Sequence, residues 1–169
     1  MSRKEHDELK IQLYNIVQKI NNQEETLLRV ERSKKDLKVY YVWGPPNSSK
    51  SELIYSLFEG TNKFYNEVYY RNGFWFGVSN KTNIAIYEGF IDILIPLEEF
   101  LIFIFIRIKY LPIKGGQIQN KYNRIFITSE FDPEKIYPKD NSKRWLTRII
   151  IFHINELKEN ESFKSLFDF

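Results

Sequence analysis

Lys50 and Ser51 are the residues from which a chemistry can first be argued. Gly44 stands six positions before Lys50, and Pro45, Pro46, Asn47, Ser48 and Ser49 fill the interval, giving the string GPPNSSKS. Its layout is that of a phosphate-binding loop, G-x-x-x-x-G-K-[ST], with Ser49 in the place of the second glycine. In such a loop main-chain N–H groups and a helix N-terminus surround the phosphates. The lysine reaches the outer phosphates, and the hydroxyl after it ligates Mg²⁺. A proline-rich turn that happens to precede Lys-Ser fits the same eight residues, and the string alone leaves both readings open.

The flanking elements must position that loop. Residues 38–43, with a continuous apolar run from Val39 to Trp43, predict a strand buried on both faces, and 50–58 predict a helix closed by Gly60. Two aromatic segments follow at Phe64–Tyr70 and Phe74–Val78, then a second buried strand at Asn83–Tyr87. Pro96 opens a helix running to about Ile106, with Glu98 and Glu99 in its first turn, where the helix dipole favours carboxylates. Residues 110–123 predict a hairpin turning at Gly115-Gly116. RIFIT (124–128) and RIIIFHI (148–154) predict two more core strands, and Glu156–Phe167 a terminal helix. Strands alternating with helices predict a three-layer α/β domain around a mostly parallel sheet.

Ahead of this domain (38–169), residues 1–37 are charged and amide-rich. Leu9, Leu13, Ile16, Val17 and Ile20 fall at helical spacing, and Leu27, Leu28 and Val30 follow Asn21-Asn22. Two short amphipathic helices, or one interrupted near Asn21, are expected there. They serve either as a layer on the main domain or as an oligomerisation element.

Composition bounds the chemistry further. The chain has 169 residues, enough for one domain with its own core, and 43% hydrophobic with 17% aromatic residues argue for a packed globule. A net charge of +3 permits an anionic partner without demanding one. No cysteine is present, which excludes disulfides, thiolate zinc sites and cysteine nucleophiles, and two histidines make a histidine metal centre a poor expectation. The longest uncharged apolar run, Phe100–Ile106, falls far short of the ~20 residues a membrane helix needs. The charged N-terminus is unlike a secretory signal. A soluble intracellular protein with no membrane partner is expected, nucleus and cytoplasm not distinguished.

Three further segments stand in order behind WGPPNSSKSEL: GFWFGVSNKTNIAIYEGF (73–90), LPIKGGQIQNKYNRIFITSE (111–130) and RWLTRIIIF (144–152). Over about residues 38–155 this series resembles the ATPase/helicase domain of the replication-initiator (Rep) proteins of small circular single-stranded DNA viruses. These are superfamily 3 helicases of the AAA+ class. The resemblance implies a P-loop, AAA+-like fold, ATP and Mg²⁺ as cofactors, a homo-oligomeric ring, and a single-stranded nucleic acid partner, DNA ahead of RNA. Lys50 would contact the β- and γ-phosphates, with Ser51 on the metal. Glu88 would be the first acid of the Walker B pair and a second metal partner. Lys114, at the KGG turn, would touch the single strand, and Arg148 would face γ-phosphate charge in a neighbouring subunit. Read without the resemblance, Lys114 is a solvated turn residue and Arg148 a structural ion-pair partner. Tyr69, Tyr70, Trp75 and Phe76 are core or interface aromatics rather than base-stacking platforms.

The chain departs from the family pattern at three places. Ser49 replaces a glycine; where φ is positive its Cβ costs ~1–2 kcal/mol, about tenfold or somewhat more if it falls on affinity. Gly89 stands where the second Walker B acid belongs, and loss of a positioned base lowers rates by about 10²–10⁴-fold. Glu130 stands where an asparagine usually senses the γ-phosphate. It either repels phosphate or substitutes for the acid missing at Gly89. The histidine pair of the nicking endonuclease that accompanies this domain in the family is absent, and 37 residues are too few to form it. Three readings follow: a helicase/ATPase with catalysis intact or degraded, a catalytically inactive interaction module, or an RNA helicase of viral type.

Overall fold

The structure is a computed structural model that describes residues 2–34, 37–105 and 109–168, with 22–34 described by their backbone alone. A helix, α1 (Arg3–Lys34), leads into the first strand, β1 (Lys38–Trp43). The predicted break near Asn21 is not there. Asparagine costs a helix only ~0.7 kcal/mol against alanine, too little to interrupt 32 residues. Leu9, Leu13, Ile16, Val17 and Ile20 are all exposed along α1.

Five strands form one parallel sheet. Besides β1 they are β2 (Asn66–Glu67), β5 (Ile84–Tyr87), β8 (Arg124–Ser129) and β9 (Ile150–His153), in the order β2-β5-β8-β1-β9. Every pairing within it is parallel, with Tyr41 opposite Ile127 and Ile151, and Tyr87 also opposite Ile127. Alternate residues of these strands enter two separate cores. Val39, Tyr41, Ala85, Tyr87, Ile125 and Ile127 point to one side, and Tyr40, Val42, Ile84, Ile86 and Phe126 to the other. Burial on both faces is why the strands read as uninterrupted apolar runs. The chain thus has the three-layer, P-loop-like α/β fold.

The second core is covered by α2 (Lys50–Ser56), α4 (Ile154–Lys158) and Phe167. Its C-terminal edge is tied down where Asp168 pairs with Lys38 at 2.8 Å and its N–H donates to the Tyr40 hydroxyl at 2.9 Å. The predicted terminal helix is much shorter than expected. After Lys158 the side chain of Asn160 accepts from the N–H of Ser162 at 2.9 Å, a local turn that competes with the helix, and only a 3-10 turn follows at Phe163–Leu166.

The first core is covered by α3 (Leu97–Ile104) and two antiparallel hairpins. Phe105 caps α3 in extended conformation; Ile106, the expected helix end, lies outside the described residues. The first hairpin joins β3 (Tyr69–Arg71) to β4 (Phe74–Phe76). Its turn is Asn72-Gly73, with φ of 51° and 92°, the double left-handed geometry of a two-residue hairpin turn. The second joins β6 (Tyr110–Ile113) to β7 (Gly116–Gln119) through Lys114-Gly115, one residue earlier than the predicted turn. Asn120 anchors it by donating to the carbonyls of Ile102 and Phe103 at the end of α3.

Candidate functional site

The site lies at the carboxyl edge of β1, β8 and β5. Two hydrogen bonds from main-chain N–H groups draw these strand ends together. The Gly44 N–H donates to the Ser129 carbonyl at 3.1 Å, and the Gly89 N–H donates to Thr128 Oγ1 at 3.1 Å. Ser129 Oγ in turn donates to the Phe90 carbonyl at 2.8 Å. The phosphate-loop candidate after β1, Glu88 after β5 and Glu130 after β8 therefore share one rim. Because β8 separates β1 from β5, Glu130 ends the strand between the other two.

The loop itself is sharply folded. Asn47 and Ser49 both take left-handed conformations, with φ of 57° and 66°. Ser49 precedes α2 without a side-chain bond to the helix start, so its hydroxyl does not cap it. A side chain on Gly44 would come within 2.4 Å of Ile154 Cγ2, which is why the loop leaves the strand at a glycine. Ser48 Oγ donates to the Pro45 carbonyl at 2.6 Å and closes the turn.

Lys50 folds back into this loop. Its Nζ donates to the carbonyls of Gly44 at 3.0 Å and Pro45 at 2.7 Å, and to Ser48 Oγ at 3.2 Å. Burial holds its ammonium below the usual lysine value, while the carboxylates of Glu130 and Glu52 act in the opposite sense.

Ser51 and Glu88 meet directly. Ser51 Oγ donates to Glu88 Oε1 at 2.7 Å, and Tyr55 Oη donates to Glu88 Oε2 at 3.0 Å. Burial, helped by hydrogen bonds to Glu67 and Glu88, pushes the Tyr55 phenol up, so it remains a donor. Among the described residues no group of three or more His, Cys, Asp or Glu could hold a metal. The pair still suits Mg²⁺, which is commonly held by one or two protein oxygens and completes its shell with water and substrate phosphates.

Gly89 sits at φ 70° with open space where a Cβ would project. A carboxylate there would have room but would force a left-handed backbone on a non-glycine residue. Arg148 lies elsewhere. It precedes β9, whose Ile150 is level with Tyr40 near the start of β1, and it is exposed. It ends a 3-10 turn (Arg144–Arg148), and the four residues of β9 run between it and the loop end, where His153 is level with Trp43. Arg148 does not join Lys50 and Glu88 within one chain. Lys114, on the β6–β7 turn, is also apart from the loop and holds its Nζ 5.5 Å from the centre of the Phe76 ring.

Tyr55 and Thr128 were missed by sequence reasoning. Tyr55 could have been found, since it stands four residues after Ser51 on the same face of α2. Compared with models of known protein families and with curated protein sequences, the chain matches none.

Proposed function

We propose that this chain binds ATP with Mg²⁺ in the loop at 44–51 and acts as a Rep-like superfamily 3 helicase domain on single-stranded nucleic acid, DNA ahead of RNA. Lys50 exchanges its carbonyl partners for phosphate oxygens. The backbone N–H groups from Ser48 to Ser51, at the start of α2, face the phosphates. Ser51 and Glu88 would hold the metal, which supplies neutralisation of charge developing on the transferred phosphoryl group. Tyr55 orients the Glu88 carboxylate. Glu130, at the end of the strand between, is the carboxylate proposed to position an attacking water.

The observation that carries this reading is the 2.7 Å bond from Ser51 Oγ to Glu88 Oε1. The two residues are 37 positions apart, and their meeting at the mouth of the loop supplies the hydroxyl–carboxylate pair that P-loop NTPases use on Mg²⁺. A proline-rich turn that merely resembled the motif would have no reason to face a strand-end carboxylate.

Assembly into a ring of identical subunits belongs to the same proposal. Leu9, Leu13, Ile16 and Ile20 recur at alternating spacings of four and three and are exposed on α1, the arrangement of a seam between helices. A neighbouring copy would also give Arg148 a site to reach.

Titration of a fluorescent ATP analogue with and without Mg²⁺ tests the reading. Binding that depends on Mg²⁺, is abolished by Lys50→Ala and is weakened by Glu88→Gln supports it. No binding at millimolar nucleotide sinks it. The second reading, a P-loop-fold interaction module without catalysis, is favoured by Gly89, which leaves Glu88 without a neighbouring second acid. The same absence of binding at millimolar nucleotide would select it, whereas binding without turnover would mark a nucleotide site with degraded catalysis.

A further inference from the structure

The β3–β4 ribbon has two faces of different character. Tyr70 and Trp75 point inward, where Trp75 packs 4.5 Å from the Phe103 ring and its Nε1 donates to Glu99 at 3.3 Å. The outward face carries Tyr69, Arg71, Phe74 and Phe76, with Tyr69 opposite Phe76 and Arg71 opposite Phe74. The rings of Tyr69 and Phe76 lie parallel, 5.0 Å apart at 11°, and Tyr69 is 46% exposed. Lys114 reaches over from the β6–β7 turn to the Phe76 ring. The inward face alone docks this ribbon on the core, so its outward aromatics are not required for burial. Aromatic rings set among Arg and Lys on a solvent face are what sequence-tolerant single-strand binding uses, rings for bases and cations for phosphates.

We propose that this outward face is a base-stacking platform for single-stranded nucleic acid, with a base on the exposed Tyr69, whose ring Phe76 backs, and backbone phosphates on Arg71 and Lys114. The sequence reading placed Tyr69, Tyr70, Trp75 and Phe76 in the core or an interface; the fold divides these four, Tyr70 and Trp75 inward and Tyr69 and Phe76 outward. The proposal rests on the single-stranded ligand of the reading above but not on the phosphate loop, so the two can fail separately.

The test is fluorescence anisotropy with labelled oligothymidylate of about ten nucleotides, beside an abasic strand of equal length. Tyr69→Ala is expected to weaken binding of the thymidine strand by about 5- to 150-fold, the worth of one stacked base. It should leave the abasic strand and the salt dependence unchanged. Lys114→Ala should weaken both strands alike and flatten the log–log salt slope by about 0.7. Tyr69→Trp should bind at least as tightly as the unaltered chain. Tyr69→Leu, which keeps an apolar cross-strand contact on the ribbon, guards against a hairpin that has simply unfolded: with an unaltered melting temperature it should still lose affinity. Equal binding of the thymidine and abasic strands by the unaltered chain overturns the proposal. So does undiminished binding by both Tyr69→Ala and Tyr69→Leu. Failure of the nucleotide reading would appear instead in the ATP-analogue titration, with oligonucleotide binding intact.

Discussion

Ser49→Gly separates two costs that a sequence motif runs together. Ser49 holds φ at 66°, where a Cβ costs about 1–2 kcal/mol relative to glycine. Glycine gives back ~0.4–1 kcal/mol of that gain through the greater freedom of its unfolded chain. No side-chain cap bond to α2 is lost in the exchange. The net expectation is a stabilisation of about 0.5–1 kcal/mol, or a melting temperature higher by about 1–4 °C. The left-handed turn belongs to the loop's own fold, so its strain is present with and without a ligand and cancels from the binding equilibrium. Affinity for the ATP analogue should therefore stay within about twofold, where the motif alone would put it about tenfold higher. Calorimetric or circular-dichroism melting gives the first quantity and analogue titration the second. A tenfold gain in affinity with no gain in melting temperature refutes the reasoning, and would mean that the Ser49 side chain obstructs the phosphates.

Gly77→Ala should be far more damaging, because its Cβ would stand 1.9 Å from the Glu67 carbonyl oxygen at a φ of 76°. About 3 kcal/mol or more is expected, a fall of roughly 6–12 °C by thermal melting, against ~1 kcal/mol for Gly60→Ala, whose φ is similar but whose surroundings are open. Burial raises the phenols of Tyr41, Tyr87, Tyr122 and Tyr137 above their ordinary value of 10.0. The stability they lend is complete below pH 10 and is lost as pH climbs toward the raised folded values, by up to about 1.4 kcal/mol per pH unit for each. Denaturant midpoints should be flat through neutral pH and drop above about 10; a midpoint unmoved at pH 11 contradicts this. Glu130→Gln should lower ATP turnover by about 10²-fold or more with little change in analogue binding, and unchanged turnover removes Glu130 from the chemistry.

An unbroken apolar run, Val39–Trp43, made β1 legible, since the sheet buries both of its faces. The β3–β4 hairpin was not read, although Asn72-Gly73 between aromatic runs is a strong short-range turn signal. Continuous aromatic character around it obscured the alternation that would have shown two faces. Within the site, Lys50, Ser51 and Glu88 were legible because each sits at the end of a regular element. The partners that orient them were harder. Thr128 reads as an ordinary strand residue until β8 is known to lie beside β5, and parallel strand order is a long-range fact that no local pattern records. The left-handed turn at Ser49 was foreseeable only as a condition, since serine itself gives no sign of it.

The ammonium of Lys50 has three protons to give and three oxygens to receive them, all from its own loop. An incoming anion therefore competes with well-aimed neutral dipoles rather than with loose water. A small, diffuse ion gains little from that exchange. A chain of phosphates, able to meet Lys50 and the start of α2 together, gains at both places. Under the proposed nucleotide reading, discrimination in favour of concentrated negative charge would in this way be a property of the loop's shape rather than of any contact with sugar or base.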